Sequence, residues 1–231
     1  MTKIFILAAG EGSRMQPYTT LVPKAMMPVA GKPCIRRIVD RLHGQKLDDI
    51  YIIANSDYMS LFKHEFRDED VKIIESISPQ GTAGEMLNWR VREEIGEEPF
   101  VIYYGDELTD VNVKRLITHH LGVVQESLIG TLALISNVPL DFGVVEVEED
   151  EITEFKEKPP FEALMWAGIA ILEPEIYDFI FLGSDFALDV FPSALIAGGK
   201  LKAYYSDAEW LDIGSITHLR RASEKFEEVS K

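Results

Sequence analysis

Residues 7–33 of this sequence read LAAGEGSRMQPYTTLVPKAMMPVAGKP, and they decide how the fold is interpreted. An apolar run at 4–7 precedes the stretch and predicts a first β-strand. Two glycines, Gly10 and Gly12, follow that strand, and Arg14 and Lys24 come next. Glycine allows backbone N–H groups to surround an anion, while arginine and lysine supply charge for phosphate. The residues favour an anion-binding loop, with an ordinary strand-to-helix loop as the alternative.

The loop differs from two common phosphate-binding motifs. No Gly-Lys-Ser/Thr ends it, so it is not a P-loop, and Met15 stands where a dinucleotide fingerprint needs its third glycine. Positive charge is nevertheless concentrated here, because residues 1–37 carry a net charge of +5 and the whole chain −16. The acidic remainder argues against a nucleic-acid partner.

Length and composition indicate one globular domain over 1–231. No apolar run has the length of a membrane span, and the N-terminal residues lack the form of a secretory signal. The single cysteine, Cys34, excludes an internal disulfide. We therefore expect a cytoplasmic protein without a membrane partner, in which Cys34 is packed rather than reactive.

Strand and helix patterns alternate through the first half, which predicts an α/β fold with a mostly parallel sheet. Predicted strands lie at 4–7, 50–54, 71–74 and 100–104, and predicted helices at 33–43, 57–66, 82–95 and 111–121. The second half has strand patterns at 128–136, 144–147, 152–157 and 168–172, which we expect to add an antiparallel portion at the sheet edge. Helical patterns at 174–181, at 190–197 and from Ser215 onward complete the prediction.

Two aspartates are candidate metal ligands. Asp106 follows the predicted strand at 100–104, although a lone aspartate there is more typical of a turn. Asp212 stands among apolar residues before Gly214, which predicts a buried strand end where a carboxylate needs a metal or backbone N–H groups. Asp110 directly precedes a predicted helix and is interpreted as its N-cap.

Other polar residues have structural interpretations. Thr82 and Glu85 have the spacing of a capping box, and a loop glutamine such as Gln80 ordinarily faces solvent. The five histidines, His119 and His120 among them, show no zinc or catalytic-triad spacing and are expected to be structural or surface residues.

Together these motifs resemble the sugar-1-phosphate nucleotidyltransferases, the nucleoside-diphosphate-sugar pyrophosphorylases. After the signature loop, similar segments follow in the same order: GTAG at 81–84, GD at 105–106, FGV at 142–144, EKP at 157–159, AG at 167–168 and WLDIG at 210–214. The resemblance implies a Rossmann-like three-layer fold, and because the sequence shows no hexapeptide repeats, we expect it to lack the left-handed β-helix domain that some members carry. It also implies transfer of a nucleoside monophosphate from a nucleoside triphosphate to a sugar 1-phosphate, with release of pyrophosphate.

The resemblance implies a role for each matching residue. The implied cofactor is Mg²⁺, held by Asp106 and Asp212. The implied catalytic residues are Arg14, Lys24, Asp106 and Lys158. The implied nucleotide contacts are Ala9, Gly10, Gly12, Arg14, Lys24, Gln80 and Gly81. The implied sugar contacts are Gly143, Glu157, Lys158 and Gly168.

Two positions depart from the family pattern. Trp166 replaces an asparagine that many members have before the Ala-Gly of the sugar site, so that side-chain contact is missing, and the tryptophan either stacks on a ring or closes the pocket. Ala25 follows Lys24, where it removes a side-chain contact to the base. These departures leave both the base and the sugar undetermined by sequence.

Two alternative functions belong to related classes. One is a choline-phosphate cytidylyltransferase on the same scaffold, which Glu157 in its Glu-Lys-Pro motif disfavours. The other is a non-catalytic regulatory subunit that binds a nucleotide sugar, which the retention of all implied catalytic and metal-binding residues disfavours. We expect a monomer or a homodimer.

Overall fold

A seven-stranded sheet forms the centre of the molecule, described by a computed structural model over residues 2–76, 80–122, 125–136, 138–140, 142–161 and 163–229. The strands in chain order are β1 (Ile4–Ala8), β2 (Pro28–Val29), β3 (Lys32–Pro33), β4 (Ile50–Asn55), β5 (Val71–Ser76), β6 (Phe100–Tyr104), β7 (Glu107–Thr109), β8 (Leu128–Ile135), β9 (Val138–Pro139), β10 (Val144–Glu148), β11 (Glu151–Lys156), β12 (Pro160–Phe161), β13 (Met165–Leu172), β14 (Lys200–Ser206) and β15 (Trp210–Asp212). Pro79 and Asp141, which border two of the matching motifs, lie outside the described residues.

The central sheet has the spatial order β14-β8-β13-β6-β1-β4-β5. Strand β13 runs antiparallel to both β6 and β8, while the other neighbouring pairs are parallel. A mostly parallel mixed sheet is thereby confirmed. The antiparallel strand is internal, however, and the prediction that it lies at the edge is wrong, because the apolar run from Ala167 to Leu172 is buried on both faces of the sheet.

Strands β10 and β11 also differ from the prediction, because they pair with each other in a separate two-stranded ribbon and do not join the central sheet. Their residues are almost all exposed. The extended conformation of both segments is confirmed, but the sheet to which they belong is not the one expected.

Helices cover both faces of the sheet. They are α1 (Cys34–Gly44), α2 (Met59–Glu65), α3 (Trp89–Ile95), α4 (Val113–Leu121), α5 (Phe191–Ile196) and α6 (Ile216–Val229). One core cluster joins α1, α2, α4 and α6 to the side chains of Ile4 and Ile6, and a second joins α3 and α5 to Phe5. The alternation along β1 therefore supplies both interfaces of a three-layer α/β fold, as predicted.

The predicted helix at 82–95 is divided into a 3₁₀ turn, Gly84–Leu87, and α3. Asn88 separates the two because its backbone is extended (φ −54°, ψ 126°), and its side chain accepts a hydrogen bond from Arg90 N. An amide at this position therefore ends one turn and begins the next helix.

Helix α4 begins two residues later than predicted. Its N-cap is Asn112, whose side chain accepts from Arg115 N. The interpretation of Asp110 as the N-cap is therefore wrong, because that carboxylate accepts from the backbone N–H of Glu209 instead.

Cys34 is completely buried at the start of α1, and burial raises the pKa of its thiol, so its interpretation as a packed residue is confirmed. None of the helices in the described ranges combines the length and the apolar character that crossing a membrane requires.

Candidate active site

The glycine loop and Asp106 leave the same edge of the sheet because β1 and β6 are parallel neighbours. Gly105 N donates to Leu7 O over 3.0 Å. A Cβ on Gly105 would lie only 2.9 Å from that oxygen, so glycine allows the two chain segments to approach this closely. The site thus lies beyond the carboxyl ends of the strands, where ligands bind in open α/β sheets.

The signature loop is folded back on itself. Gly12 has φ +62°, and a Cβ there would lie 2.7 Å from Thr19 Cγ2. The Thr19 hydroxyl donates to Gly12 O, while Met15 is buried beneath the loop. Arg14, between these anchors, is exposed and faces the cavity described below.

Lys24 lies between the two predicted metal ligands. Strands β7 and β15 pair antiparallel, and Ile213 N donates to Asp106 O, which brings the two aspartates together. Lys24 Nζ donates to Asp106 Oδ2 and lies 3.5 Å from Asp212 Oδ1. Asp212 is only partly buried, and its side-chain partners among the described residues are Lys24 and His218, rather than the backbone N–H groups that the sequence offered as an alternative to a metal.

The two carboxylates fit a cation, because both already contact the single ammonium group of Lys24. Among the residues that the structure describes, no three or more His, Cys, Asp or Glu side chains form a group able to hold a metal ion. A divalent ion here would need further oxygen ligands from substrate phosphates and water, which is the usual coordination of Mg²⁺ in enzymes.

A cavity of about 670 Å³ opens between the glycine loop and this cluster. Its lining includes all the predicted nucleotide contacts and both predicted metal ligands: Ala9, Gly10, Gly12, Arg14, Lys24, Gln80, Gly81, Asp106 and Asp212. Residues separated by up to 200 positions in the chain are therefore collected around one space of the size of a ligand-binding site.

The predicted sugar contacts do not line this cavity. Gly143 and Glu157 lie next to each other, since a Cβ on Gly143 would be 3.2 Å from Glu157 Oε2. Glu157 and Lys158 are exposed beyond the end of β11. Gly168 has φ +66° and lies against the carboxyl group of Glu107, which does line the cavity.

Glu107 is a site residue that the sequence analysis missed. It pairs with Asp212 across β7 and β15, and its Oε2 accepts from Trp210 Nε1 over 3.2 Å. Burial, and secondarily the charge of Asp106, raises the pKa of its carboxyl group to about 8. Its only sequence signal was adjacency to Asp106, because the pairing of β7 with β15 joins segments about 100 residues apart.

Thr82 and Glu85 also line the cavity, but they do not form the predicted capping box. The Thr82 hydroxyl donates to Asp185 Oδ1 over 2.8 Å and accepts from Tyr104 Oη. Glu85 accepts from Gln80 N rather than from Thr82 N, and burial raises the pKa of its carboxyl group. Thr82 therefore bonds to residues distant in the chain, and the predicted reciprocal pair with Glu85 is not formed.

Trp166 does not line the cavity, but it contacts Tyr104, which does. Its ring makes edge contacts with Tyr104 and Phe191, and its Nε1 donates to Ile169 O. Both polar and apolar parts of the side chain thus have partners within the protein.

A family model described as "Nucleotidyl transferase" matches residues 3–229. The chain belongs to the nucleotidyl transferase family. A UTP–glucose-1-phosphate uridylyltransferase of Synechocystis is 29% identical over 93% of this chain and 60% of its own length. A mannose-1-phosphate guanylyltransferase of Mycobacterium tuberculosis is 30% identical over 94% of this chain and 62% of its own length.

The crystal structure of HddC from Yersinia pseudotuberculosis complexed with GMP-PN shares the fold of this nucleotidyl transferase family member. The TM-score is 0.75 at 23% identity, over 98% of this chain and 100% of that one. The names of the curated relatives confirm the resemblance to sugar-1-phosphate nucleotidyltransferases. This family member spans about 60% of the length of those relatives.

Proposed function

We propose that this nucleotidyl transferase family member transfers a nucleoside monophosphate from a nucleoside triphosphate to a sugar 1-phosphate. The observation that carries the proposal is the single cavity that joins the glycine loop to Lys24, Asp106 and Asp212. A phosphate oxygen of the sugar 1-phosphate attacks the α-phosphorus in line, the bond to the β-phosphate oxygen breaks, and pyrophosphate leaves.

In this proposal the protein supplies position and charge rather than a nucleophile. Arg14 and the backbone N–H groups around Gly10 and Gly12 hold the triphosphate. Lys24 stabilises negative charge that develops at the α-phosphate. Bound Mg²⁺ at Asp106 and Asp212 would neutralise phosphate charge and orient the triphosphate.

The acceptor side of the proposal uses residues outside the cavity lining. Glu157 and Gly143 contact the sugar, and Lys158 contacts the incoming phosphate, as the family resemblance implies. Gly168, with Glu107 against it, forms the part of the sugar site nearest the cavity. The proposed enzyme is cytoplasmic and acts as a monomer or a homodimer.

A pyrophosphate-release screen tests the function. The two relatives named above differ in both base and sugar, so the panel crosses the five common nucleoside triphosphates with phosphocholine and with glucose, mannose and N-acetylglucosamine 1-phosphates. We expect release with at least one pair and none without the sugar phosphate. Release with phosphocholine alone would support the cytidylyltransferase alternative, and triphosphate binding without turnover on any acceptor would support the regulatory one.

A further inference from the structure

The two carboxylate oxygens of Asp212 have different partners. Oδ1 lies 3.5 Å from Lys24 Nζ, and Oδ2 lies 3.1 Å from His218 Nδ1. Because a carboxylate oxygen only accepts hydrogen bonds, Nδ1 carries the proton and donates it to Oδ2. His218 thus holds one oxygen, while the other lies near the Lys24 ammonium group, which also contacts Asp106.

The local sequence explains how His218 reaches this carboxylate. Ser215 Oγ accepts from His218 N, so the serine caps α6 and places His218 in its first turn. Between the strand and the helix stands Gly214, where a Cβ would lie 2.6 Å from Asp212 Oδ2. Glycine therefore leaves the space that the carboxylate occupies beside the helix start.

We propose that His218 is a positioning residue that fixes Oδ2 of Asp212 and directs Oδ1 at the cation held between Asp106 and Asp212. The inference rests on the proposed function, since it takes Asp212 as a metal ligand. His218 lies four residues beyond the matching WLDIG motif, so the motif does not assign it a role.

The physical reason is the rotational freedom of a carboxylate. Without a donor on Oδ2, the Asp212 carboxyl group turns about its last side-chain bond and presents Oδ1 less often to the cation. Hydrogen bonds behind a metal ligand hold it in the binding orientation, and their loss weakens metal affinity.

Substitutions of His218 can keep or remove the N–H donor at the Nδ1 position. His218→Asn keeps an N–H donor at the position of Nδ1, whereas His218→Leu keeps bulk and removes the donor. His218→Gln places its amide nitrogen near the position of Nε2, which points away from Oδ2. Thr217→Ala, at the preceding exposed helix position, is the control.

The test measures free Mn²⁺ by electron paramagnetic resonance during titration of the full chain with inorganic tripolyphosphate present, and a parallel titration without protein subtracts the Mn²⁺ that tripolyphosphate binds by itself. This probe needs no knowledge of the base. We expect Mn²⁺ affinity to fall about 10- to 100-fold in His218→Leu and in His218→Gln. His218→Asn and Thr217→Ala keep the wild-type affinity, and circular dichroism checks that each variant is folded.

The proposal is overturned if His218→Leu and His218→Gln bind Mn²⁺ as the wild type does, or if His218→Asn loses as much affinity as they do. If His218→Leu does not fold, the comparison of His218→Gln with His218→Asn decides. The variant Asp212→Asn distinguishes a failure of the His218 proposal from a failure of the proposed function. If Asp212→Asn also leaves the Mn²⁺ affinity unchanged, the metal site of the proposed function is wrong. If Asp212→Asn alone weakens binding, only the role of His218 fails.

Discussion

At the residue scale, Gly168 shows how a backbone position controls a side chain of the site. Its φ of +66° favours glycine, and a Cβ would lie 2.0 Å from Glu107 Oε2. Because Glu107 is itself held by Trp210, a side chain at 168 has to displace the carboxyl group from the cavity wall. The two constraints, conformational strain and contact, act at the same position.

Gly198 separates these two constraints, because its φ is +89° and a Cβ there meets open space. We expect Gly198→Ala to cost about 1–3 kcal/mol of unfolding free energy from backbone strain alone. Gly168→Ala should cost measurably more, because it also displaces Glu107. Urea denaturation of both variants measures the difference, and equal losses would contradict the proposed contact.

Some residues of the site could be predicted from the sequence, whereas the contacts between them could not. The glycine loop, Arg14, Lys24 and the two aspartates were identified from motifs because each motif is contiguous. That Lys24 lies between Asp106 and Asp212 depends on the pairing of β7 with β15, which no local pattern specifies. Asp185 was missed for the same reason, since it joins Thr82 from 103 positions away.

At the element scale, Asn88 divides what the apolar pattern predicted as one helix. Its side chain accepts from Arg90 N at the start of α3 and donates to Glu75 O at the end of β5. The periodicity continues across the break, because the 3₁₀ turn and α3 bury their apolar residues in the same core cluster. The apolar periodicity therefore predicted correctly which side chains are buried, but the prediction of one continuous helix was wrong.

The substitution Asn88→Ala tests this account of the break. We expect a loss of about 1 kcal/mol in unfolding free energy, because the first turn of α3 loses its cap. Glu93→Ala, on the exposed face of the same helix, is the control and should change stability little. Urea unfolding followed by circular dichroism measures both, and an unchanged Asn88→Ala variant would contradict the capping role.

At the scale of the whole molecule, alternation of strands and helices predicted the layers and the mostly parallel sheet. The apolar run from Ala167 to Leu172 is typical of a strand buried on both faces, but the antiparallel pairing of β13 with β6 and β8 was not predictable, because pairing between distant segments leaves no local sequence mark. The positions of the glycine loop and Asp106, each after a predicted strand, were nevertheless enough to predict that these two segments meet at one edge, since the carboxyl ends of parallel strands lie together.

Stability of the whole molecule should depend on His120, which is buried between Thr131 and Glu173. Because the Glu173 carboxylate accepts from Nε2, Nδ1 accepts from the Thr131 hydroxyl, as a neutral imidazole requires. Burial lowers the pKa of His120 below its ordinary value of 6.5, against the opposing effect of Glu173. Folding thus favours the neutral ring.

The sign of the pH dependence follows from this direction. Below pH 6.5 the His120 side chain takes up a proton more readily in the unfolded chain than in the folded one. The contribution of neutral His120 to the unfolding free energy is therefore fully present above pH 6.5 and is lost as the pH falls through the folded pKa. We expect His120→Gln to be less stable at pH 7.5 but to lose less stability on acidification than the wild type. Unfolding free energies at pH 7.5 and 5.5 measure this, with exposed His64→Gln as the control, and parallel losses would contradict it.

In the proposed function, the cavity between the glycine loop and the Lys24–Asp106–Asp212 cluster is the site of nucleotidyl transfer to a sugar 1-phosphate. The most direct test is pyrophosphate release by the wild type and by Asp106→Asn, measured side by side with the substrate pair found by the screen. The account predicts release by the wild type only when both substrates are present, and loss of turnover in a folded Asp106→Asn variant. Wild-type turnover by Asp106→Asn, or release that does not depend on the sugar phosphate, would contradict it.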